Sequence, residues 1–472
     1  MRKTKIVCTL GPATDTDEVL EGMIQAGMNV ARMNFSHGTH EDHKRRIEQV
    51  RRCSEKLQMP VALLLDTKGP EIRTRDFENG KVELVDGQTF TLITEEVLGD
   101  QNRSTISYKN LYQDVQVGSK VLINDGLIEM EVEKIEGTDI VCHVIHGGIV
   151  SNHKGINVPQ TKLSMPYVSQ QDLEDILFGV EQDVDFVAAS FVRSAEDVAQ
   201  IRSILKEHGA ADIKIISKIE NAEGVDNIDE IIAASDGIMV ARGDMGVEIP
   251  GEDVPVIQKI LIRKVYEAGK IVITATQMLE SMIHNPRPTR AETADVANAI
   301  FDGTSAIMLS GETAAGEYPV EAVAMMNRIA LRTEEAINYK KRFDNYGRRT
   351  GADITTAISH ATCMTAHDLN AKAILTVTKS GTTARMISRY RPDCDIIGCT
   401  MSTKVLRQLC MSWGVTPHLL QEESDVFELF DAAVKICKSE NMLQTGDVVV
   451  MTSGVPIGKS GTTNMIKAEV VE

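Results

Sequence analysis

Eight short runs rich in apolar and β-branched residues, spaced along the chain by helix-period stretches, constrain the fold most. The runs are KTKIVCTL, NVARMNF, VALLLDT, VDFVAASF, IKIISKIE, DGIMVARGD, KIVITATQ and SAIMLSGE. Between most of them lie amphipathic segments such as DTDEVLEGMIQAG, SAEDVAQIRSILKEHG and DVPVIQKILIRKVYEAG. Strand alternating with helix implies a parallel sheet with helices packed outside it. Eight such units point to a closed (β/α)8 TIM barrel.

The alternation breaks once. After VALLLDT the pattern changes to period-two strands and turns, as in KVELVDGQTFTLI and SKVLINDGLIEMEVEKIEG, and SQQDLEDILFGVEQ then restores the helical period. Residues 70–165 are therefore expected to form a small β-barrel domain inserted after strand three. The catalytic barrel would take residues 1–69 and 166–337, about 240 residues against the usual ~250. Helix and strand alternate again beyond the charged stretch NYKKRFDNYGRRTG, which predicts a C-terminal α/β domain over 338–472.

Barrel chemistry is built at the C-terminal ends of the strands, and here those ends are polar. Strand two ends in Arg32, Asn34 and Ser36; strand three in Asp66 and Thr67; strand five in Lys218 and Glu220. Strand six ends in Arg242 and Asp244, strand seven in Thr274 and Thr276, strand eight in Ser310 and Glu312. In a closed barrel these groups converge on one mouth. Glu220 and Asp244 are hard oxygen ligands suited to Mg²⁺ with positions left for water or substrate. Arg32 and Lys218 can meet negative charge on that substrate. The set suggests phosphoryl transfer by positioning and charge neutralisation.

In order and spacing, MNFSHG, LLLDTKGPEIR, IISKIEN, MVARGDMGVEIP, ITATQMLESMIHNPRPTRAE and MLSGETAAGEYP resemble the motifs of the pyruvate kinases, and the likeness spans essentially the whole chain. The resemblance implies transfer of a phosphoryl group from phosphoenolpyruvate to ADP, giving pyruvate and ATP, with Mg²⁺ (or Mn²⁺) and K⁺ as cofactors. It places Arg32 on the transferring group and Asn34, Ser36, Asp66 and Thr67 around K⁺. Arg73 and Lys154 would contact nucleotide phosphates, with His37 near the nucleotide. Glu220 and Asp244 would hold Mg²⁺, and Gly243, Asp244 and Thr276 would contact the substrate carboxylate. Lys218 would stabilise the leaving enolate as a cation, with Thr276 or a water on it relaying the proton. Glu71 matches K⁺-dependent members, where K⁺-independent ones carry lysine. Met33 and Met245 stand where leucine is common, a volume-conserving change. The inserted domain would act as a lid, and the assembly would be a homotetramer.

TKSGTTAR joins a strand to a helix and so offers backbone N–H and hydroxyl donors at a helix N-terminus, a phosphate site. In the resemblance, Thr378, Lys379, Ser380, Gly381, Thr382 and Thr383 match the loop that binds a phosphorylated allosteric effector. The last loop lacks the tryptophan of animal enzymes, which leaves fructose 1,6-bisphosphate, ribose 5-phosphate and AMP open. The P-loop-like stretch around Gly454, Gly458, Lys459 and Ser460 has three residues between its glycines instead of four and no following helix. His37, His40 and His43 lack the accompanying cysteines of a zinc site and suit a solvated helix start. His143, His146 and His153 fall in the inserted β-rich segment and suit surface positions.

A net charge of −18 argues against nucleic acid or an anionic membrane as partner. The eight cysteines are scattered without a Cys-x-x-Cys, as expected of small core residues in reduced cytosol. No run approaches the roughly 18 apolar residues of a membrane span, so the expectation is a cytoplasmic enzyme. Two other readings compete. One is a lyase using Lys218 as Schiff-base nucleophile, which the neighbouring carboxylates disfavour; the other is a non-catalytic sugar-phosphate sensor, which the intact strand ends disfavour.

Overall fold

The computed structural model describes residues 1–346, 353–421, 423, 425–456 and 462–472. All eight runs form strands: β1 Lys5–Thr9, β2 Val30–Asn34, β3 Ala62–Asp66, β4 Phe186–Ala189, β5 Lys214–Ile219, β6 Gly237–Ala241, β7 Ile271–Ala275 and β8 Ala306–Leu309. They pair in parallel, each with its sequence neighbours, and β8 closes onto β1. Alternate residues along the strands, among them Val7, Leu64, Phe186, Ile216, Met239, Ile273 and Met308, fill the interior, as barrel closure requires. Cys410 and Met411, from beyond the barrel, complete this cluster, and Cys410 Sγ lies 3.2 Å from the carbonyl of Pro60, just before β3.

Between Asp66 and Phe186 the chain builds a seven-stranded sheet running from Ile72–Arg73 to Arg103–Thr105. A Thr74–Ile106 bridge joins its two edge strands and closes it into a small barrel, with its own core of Phe90, Leu92, Val121, Met130 and Val144. At the exit from the large barrel Gly69 has φ +75°, and a Cβ there would lie 2.8 Å from Ser190 Cβ. Glycine tolerates both the left-handed backbone and the close approach. On the return, Arg193 Nη1 donates to the carbonyls of Leu163 (3.0 Å) and Met165 (3.3 Å).

The C-terminal sheet contains β9 Ala373–Val377, β10 Asp395–Thr400, β11 Val415–Leu419, β12 Val448–Gly454 and β13 Thr463–Val470. Its order is β11-β10-β9-β12-β13, with only the last pair antiparallel. It is tied to the barrel floor by charge: Arg407 Nε donates to Asp185 Oδ1 (2.9 Å) and Lys404 Nζ to Asp183 Oδ1 (2.6 Å). No helix among the described residues is long and apolar enough to cross a membrane.

Two strand ends differ from expectation. β6 stops at Ala241, and Arg242 and Asp244 lie on a short helix, Arg242–Glu248. Two-residue alternation ends where the backbone turns helical, so the two side chains do not share a direction. β8 likewise stops at Leu309, and Glu312 lies on the helical turn Gly311–Ala314.

Candidate active site

Lys218 and Glu220, an ammonium and a carboxylate set in an apolar run, are both buried at the end of β5. Lys218 Nζ donates to Asp66 Oδ1 (3.0 Å) and Ser190 Oγ (2.7 Å), and stands 3.0 Å from Glu220 Oε1. Asp66 Oδ2 accepts from Arg32 Nε at 2.6 Å, and Arg32 Nη1 donates to Thr9 Oγ1 at 2.9 Å. Strand register places Asn34 beside Asp66. Groups from β1, β2, β3, β4 and β5 thus form one connected network at the barrel mouth. Paired and hydrogen-bonded in this way, buried charges are tolerable where isolated ones are not.

Burial opposes the charge on Asp66, but Arg32 and Lys218 outweigh it and hold the carboxyl below its ordinary range. Burial likewise works against the Lys218 ammonium, yet Asp66 and Glu220 raise its pKa above that of a free lysine. Glu220 goes the other way. Burial pushes its carboxyl up to about 8, and Asp244 adds to the rise although Lys218 opposes it. One oxygen, Oε2, accepts the Phe191 N–H at 2.6 Å; the other, Oε1, is buried and accepts no hydrogen bond. A buried carboxylate oxygen that forms no hydrogen bond, with the Lys218 ammonium 3.0 Å away and a second acidic group nearby, suits a hard divalent cation. Of Asn34, Ser36, Asp66 and Thr67, strand register sets Asn34 beside Asp66, and Asn34 Oδ1 accepts the Ser36 N–H at 3.2 Å.

The helix Arg242–Glu248 completes the opposite side. Gly243 N–H donates to Thr276 Oγ1 at 2.8 Å, and that hydroxyl donates to the carbonyl of Ala275 at 2.6 Å. Thr276 and Gln277 have φ of +69° and +53°, sparsely populated values for residues with a Cβ that tend to mark functional sites. Gly243, Asp244 and Thr276 are therefore neighbours. Beside them a cavity of about 690 Å³ opens between the mouth and the inserted small barrel, lined by Glu71, Arg73, Lys154 and Asp244 among others. Arg73 is held by Glu71 (Nη2 to Oε2, 2.7 Å) and by the His153 carbonyl (2.8 Å).

Several expected mouth groups face elsewhere. Arg242 pairs with Asp295 at 2.6 Å and donates to the carbonyls of Ala275 and Thr276. Thr274 Oγ1 bonds Thr304 Oγ1, and Glu312 accepts the N–H groups of Leu279 and Ser310. Arg242 and Glu312 thus brace the β6, β7 and β8 ends, and Thr274, between the interior-facing Ile273 and Ala275, points out of the barrel toward the segment before β8. His37 is exposed on the loop after β2, outside the cavity lining. His40 bonds Asp175 at 2.6 Å. His43 is buried, stacked 4.0 Å from Phe35, and so is a core residue and not a solvated one. Ser190 and Thr9 escaped the sequence reading, although both stand at or just past C-terminal strand ends, where the same rule could have found them.

In the C-terminal sheet, the loop after β9 leads into the helix Thr382–Arg389, with Gly381 at its N-cap (φ +78°). Lys379 is exposed, and Ser380 Oγ lies 3.0 Å from Thr382 Oγ1. Thr378 is buried, and the Thr383 hydroxyl faces inward to Thr463 Oγ1 at 2.8 Å. Arg385, unremarked in the sequence, donates to the Ser380 carbonyl at 2.9 Å from beneath the loop. Gly458, Lys459 and Ser460 lie outside the described residues.

Comparison with known proteins bears on the same elements. Residues 1–323 match the family model described as pyruvate kinase, barrel domain, and residues 356–468 the one described as pyruvate kinase, alpha/beta domain. The chain is 52% identical over 473 residues to a pyruvate kinase of Clostridium acetobutylicum, covering the full length of both. It is 51% identical over 472 residues to that of Geobacillus stearothermophilus, covering all of this chain and 80% of the relative.

Proposed function

The chain belongs to the pyruvate kinase family, and from that premise we propose residue roles for its reaction, the transfer of a phosphoryl group from phosphoenolpyruvate to ADP. The observation that carries the assignment is the Lys218 ammonium held between Asp66, Ser190 and Glu220 at the barrel mouth.

Pyruvate kinases generally need Mg²⁺ and K⁺. Glu220 and Asp244 are the residues to hold Mg²⁺ (or Mn²⁺), and Asn34, Ser36, Asp66 and Thr67 those to hold K⁺. When bound, the ions neutralise phosphoryl and enolate charge. Lys218, kept charged by its carboxylate neighbours, stabilises the enolate oxygen as the phosphoryl group leaves. Arg32, its Nε and Nη1 already anchored, turns its remaining Nη2 toward the phosphoryl oxygens. Gly243, Asp244 and Thr276 contact the substrate carboxylate, for which the Gly243 N–H and the Thr276 hydroxyl exchange their present bonds to Thr276 Oγ1 and the Ala275 carbonyl, and Thr276 or a water on it relays the proton to the enolate carbon. Arg73 and Lys154 line the cavity where ADP phosphates enter, and His37, on the exposed loop after β2, is assigned to the nucleotide by the family resemblance alone. A Schiff-base lyase needs a neutral amine, which this Lys218 is not.

The domain limits proposed are 1–69 with 166–337, 70–165 and 338–472. The separate apolar cluster from Ile72 to Val158, with Leu163 and Met165 packed on it, supports the middle one. The loop from Thr378 to Thr383, with Arg385 beneath it, is proposed to take a phosphorylated effector, and the enzyme to work in the cytoplasm as a homotetramer. The test is a lactate-dehydrogenase-coupled assay with phosphoenolpyruvate, ADP, Mg²⁺ and K⁺, repeated with fructose 1,6-bisphosphate, ribose 5-phosphate and AMP. No pyruvate formation would overturn the assignment, and an unchanged saturation curve with all three effectors would overturn the effector loop.

A further inference from the structure

The helix Arg242–Glu248 is held at both ends by different parts of the molecule. At its start, Gly243 N–H is bonded to Thr276 Oγ1 and Arg242 to the carbonyls of Ala275 and Thr276, all at the end of β7. At its end, Glu248 Oε1 accepts from Asn157 Nδ2 at 2.7 Å, across 91 residues of sequence. Asn157 closes the strand Gly155–Asn157 of the inserted small barrel, in which Gly155 pairs with Arg73 and Asn157 with Leu122. A second contact lies alongside. The turn of Asn124, Asp125 and Gly126, all at positive φ, reaches over the same helix, where a Cβ on Gly126 would sit 3.7 Å from Val247 Cγ1.

Asp244 lies between the two anchors. Asp244 and Glu248 are four residues apart and so share one helical face, and both line the cavity at the mouth. We propose that Asn157 and Glu248 form a latch through which the position of the inserted domain sets the position of Asp244. Neither residue touches the reacting atoms in this reading; both are positioning residues. When the inserted domain lies over the mouth, the latch holds the far end of the helix while β7 holds the near end, and Asp244 is aimed at Glu220. When it swings away, the helix keeps only its β7 anchor. Closure would thus do more than exclude water, because it would complete the divalent-cation site. The proposal rests on the assignment of Asp244 and Glu220 to that site.

The test is Mn²⁺ binding followed by its paramagnetic resonance, with phosphoenolpyruvate present and ADP absent so that no turnover occurs. Asn157→Ala is made in three backgrounds: wild type, Glu248→Gln and Glu248→Ala. The glutamine amide oxygen can still accept the Asn157 bond, so comparing backgrounds removes the effect of losing the Glu248 charge on Mn²⁺ itself. We expect Asn157→Ala to weaken Mn²⁺ binding by about fivefold to tenfold in the first two backgrounds, as loss of one hydrogen bond to a charged or amide acceptor would. It should change binding by less than about twofold with Glu248→Ala. An equal effect in all three backgrounds, or none in the wild type, would overturn the latch. Failure of the underlying site reading looks different: Asp244→Ala would then leave Mn²⁺ binding intact.

Discussion

Lys218 Nζ and Asp66 Oδ1 lie 3.0 Å apart across 152 residues of sequence, joining β5 to β3 at the barrel mouth. The contact fixes the protonation state of the lysine, because two buried carboxylates beside it more than offset the cost of burying its charge. A lysine so held is a poor proton donor and a good electrostatic stabiliser. Lys218→Met should lower phosphoryl transfer by about a thousandfold or more, as loss of a preorganised charge at a developing anion does. Solvent hydrogen exchange into the methyl group of pyruvate, read by proton resonance, should persist in the variant. Loss of both activities would return the proton to Lys218.

Ser190 is the hinge of the same network. Its hydroxyl lies 2.7 Å from Lys218 Nζ, 3.2 Å from Asp66 Oδ1 and 2.6 Å from the Thr67 carbonyl. Ser190→Ala keeps the volume nearly constant and removes one partner from a buried ammonium, worth ~1.5 kcal/mol or about tenfold. The loss should appear in kcat, with KM for ADP unchanged, because the Ser190 hydroxyl is bonded to Lys218, Asp66 and Thr67 and not to Arg73 or Lys154. A change in KM for ADP alone would place Ser190 outside the transfer step.

Glu71 holds Arg73 and is proposed to set the K⁺ requirement, two duties that one substitution should separate. It matches K⁺-dependent members of the family, and here it also holds Arg73 at 2.7 Å. Glu71→Lys should therefore weaken the K⁺ requirement while raising KM for ADP several-fold, since Arg73 keeps only the His153 carbonyl and gains a like charge beside it. K⁺ titrations at saturating and limiting ADP measure both. An unchanged K⁺ curve would remove the first duty, and an unchanged KM the second.

The barrel was readable because its eight strands are continuous apolar runs, a pattern that follows from burial on both faces. The site was readable where a charge interrupted such a run, as at Lys218 and Asp66. It was less readable where the chain leaves the strand. Arg242 and Glu312 have the same composition as true mouth residues, and only the local backbone turn decides that they brace loops, whereas Thr274 lies within β7 between the interior-facing Ile273 and Ala275 and so points out of the barrel. β11 is hard to read because Pro417 argues against a strand, yet β11 is an edge strand, where proline is tolerated. Ser190 carries no charge to mark it. His43 looked solvated beside His40 because its partner, Phe35, lies before the helix begins.

Lys5 offers a pH-dependent test of the barrel floor. Its ammonium is buried and donates to the Val415 carbonyl at 2.6 Å, linking β1 to β11. Burial, with the nearby Arg2, pulls its pKa down from 10.5 to about 8, although Cys410, Glu334 and Asp395 oppose the shift. Between about pH 8 and 10.5 the unfolded chain then holds this proton while the folded protein does not. Stability must rise with pH through that window, by at most about 1.4 kcal/mol per unit from this group, and below pH 8 the cost of the buried charge is present in full. Lys5→Met removes the group and leaves one carbonyl without its donor. The difference in urea unfolding free energy, wild type minus variant, should therefore be flat from pH 6 to 7.5 and increase from pH 8 to 9.5. A difference that stays flat throughout would show that Lys5 keeps its ordinary pKa in the folded protein.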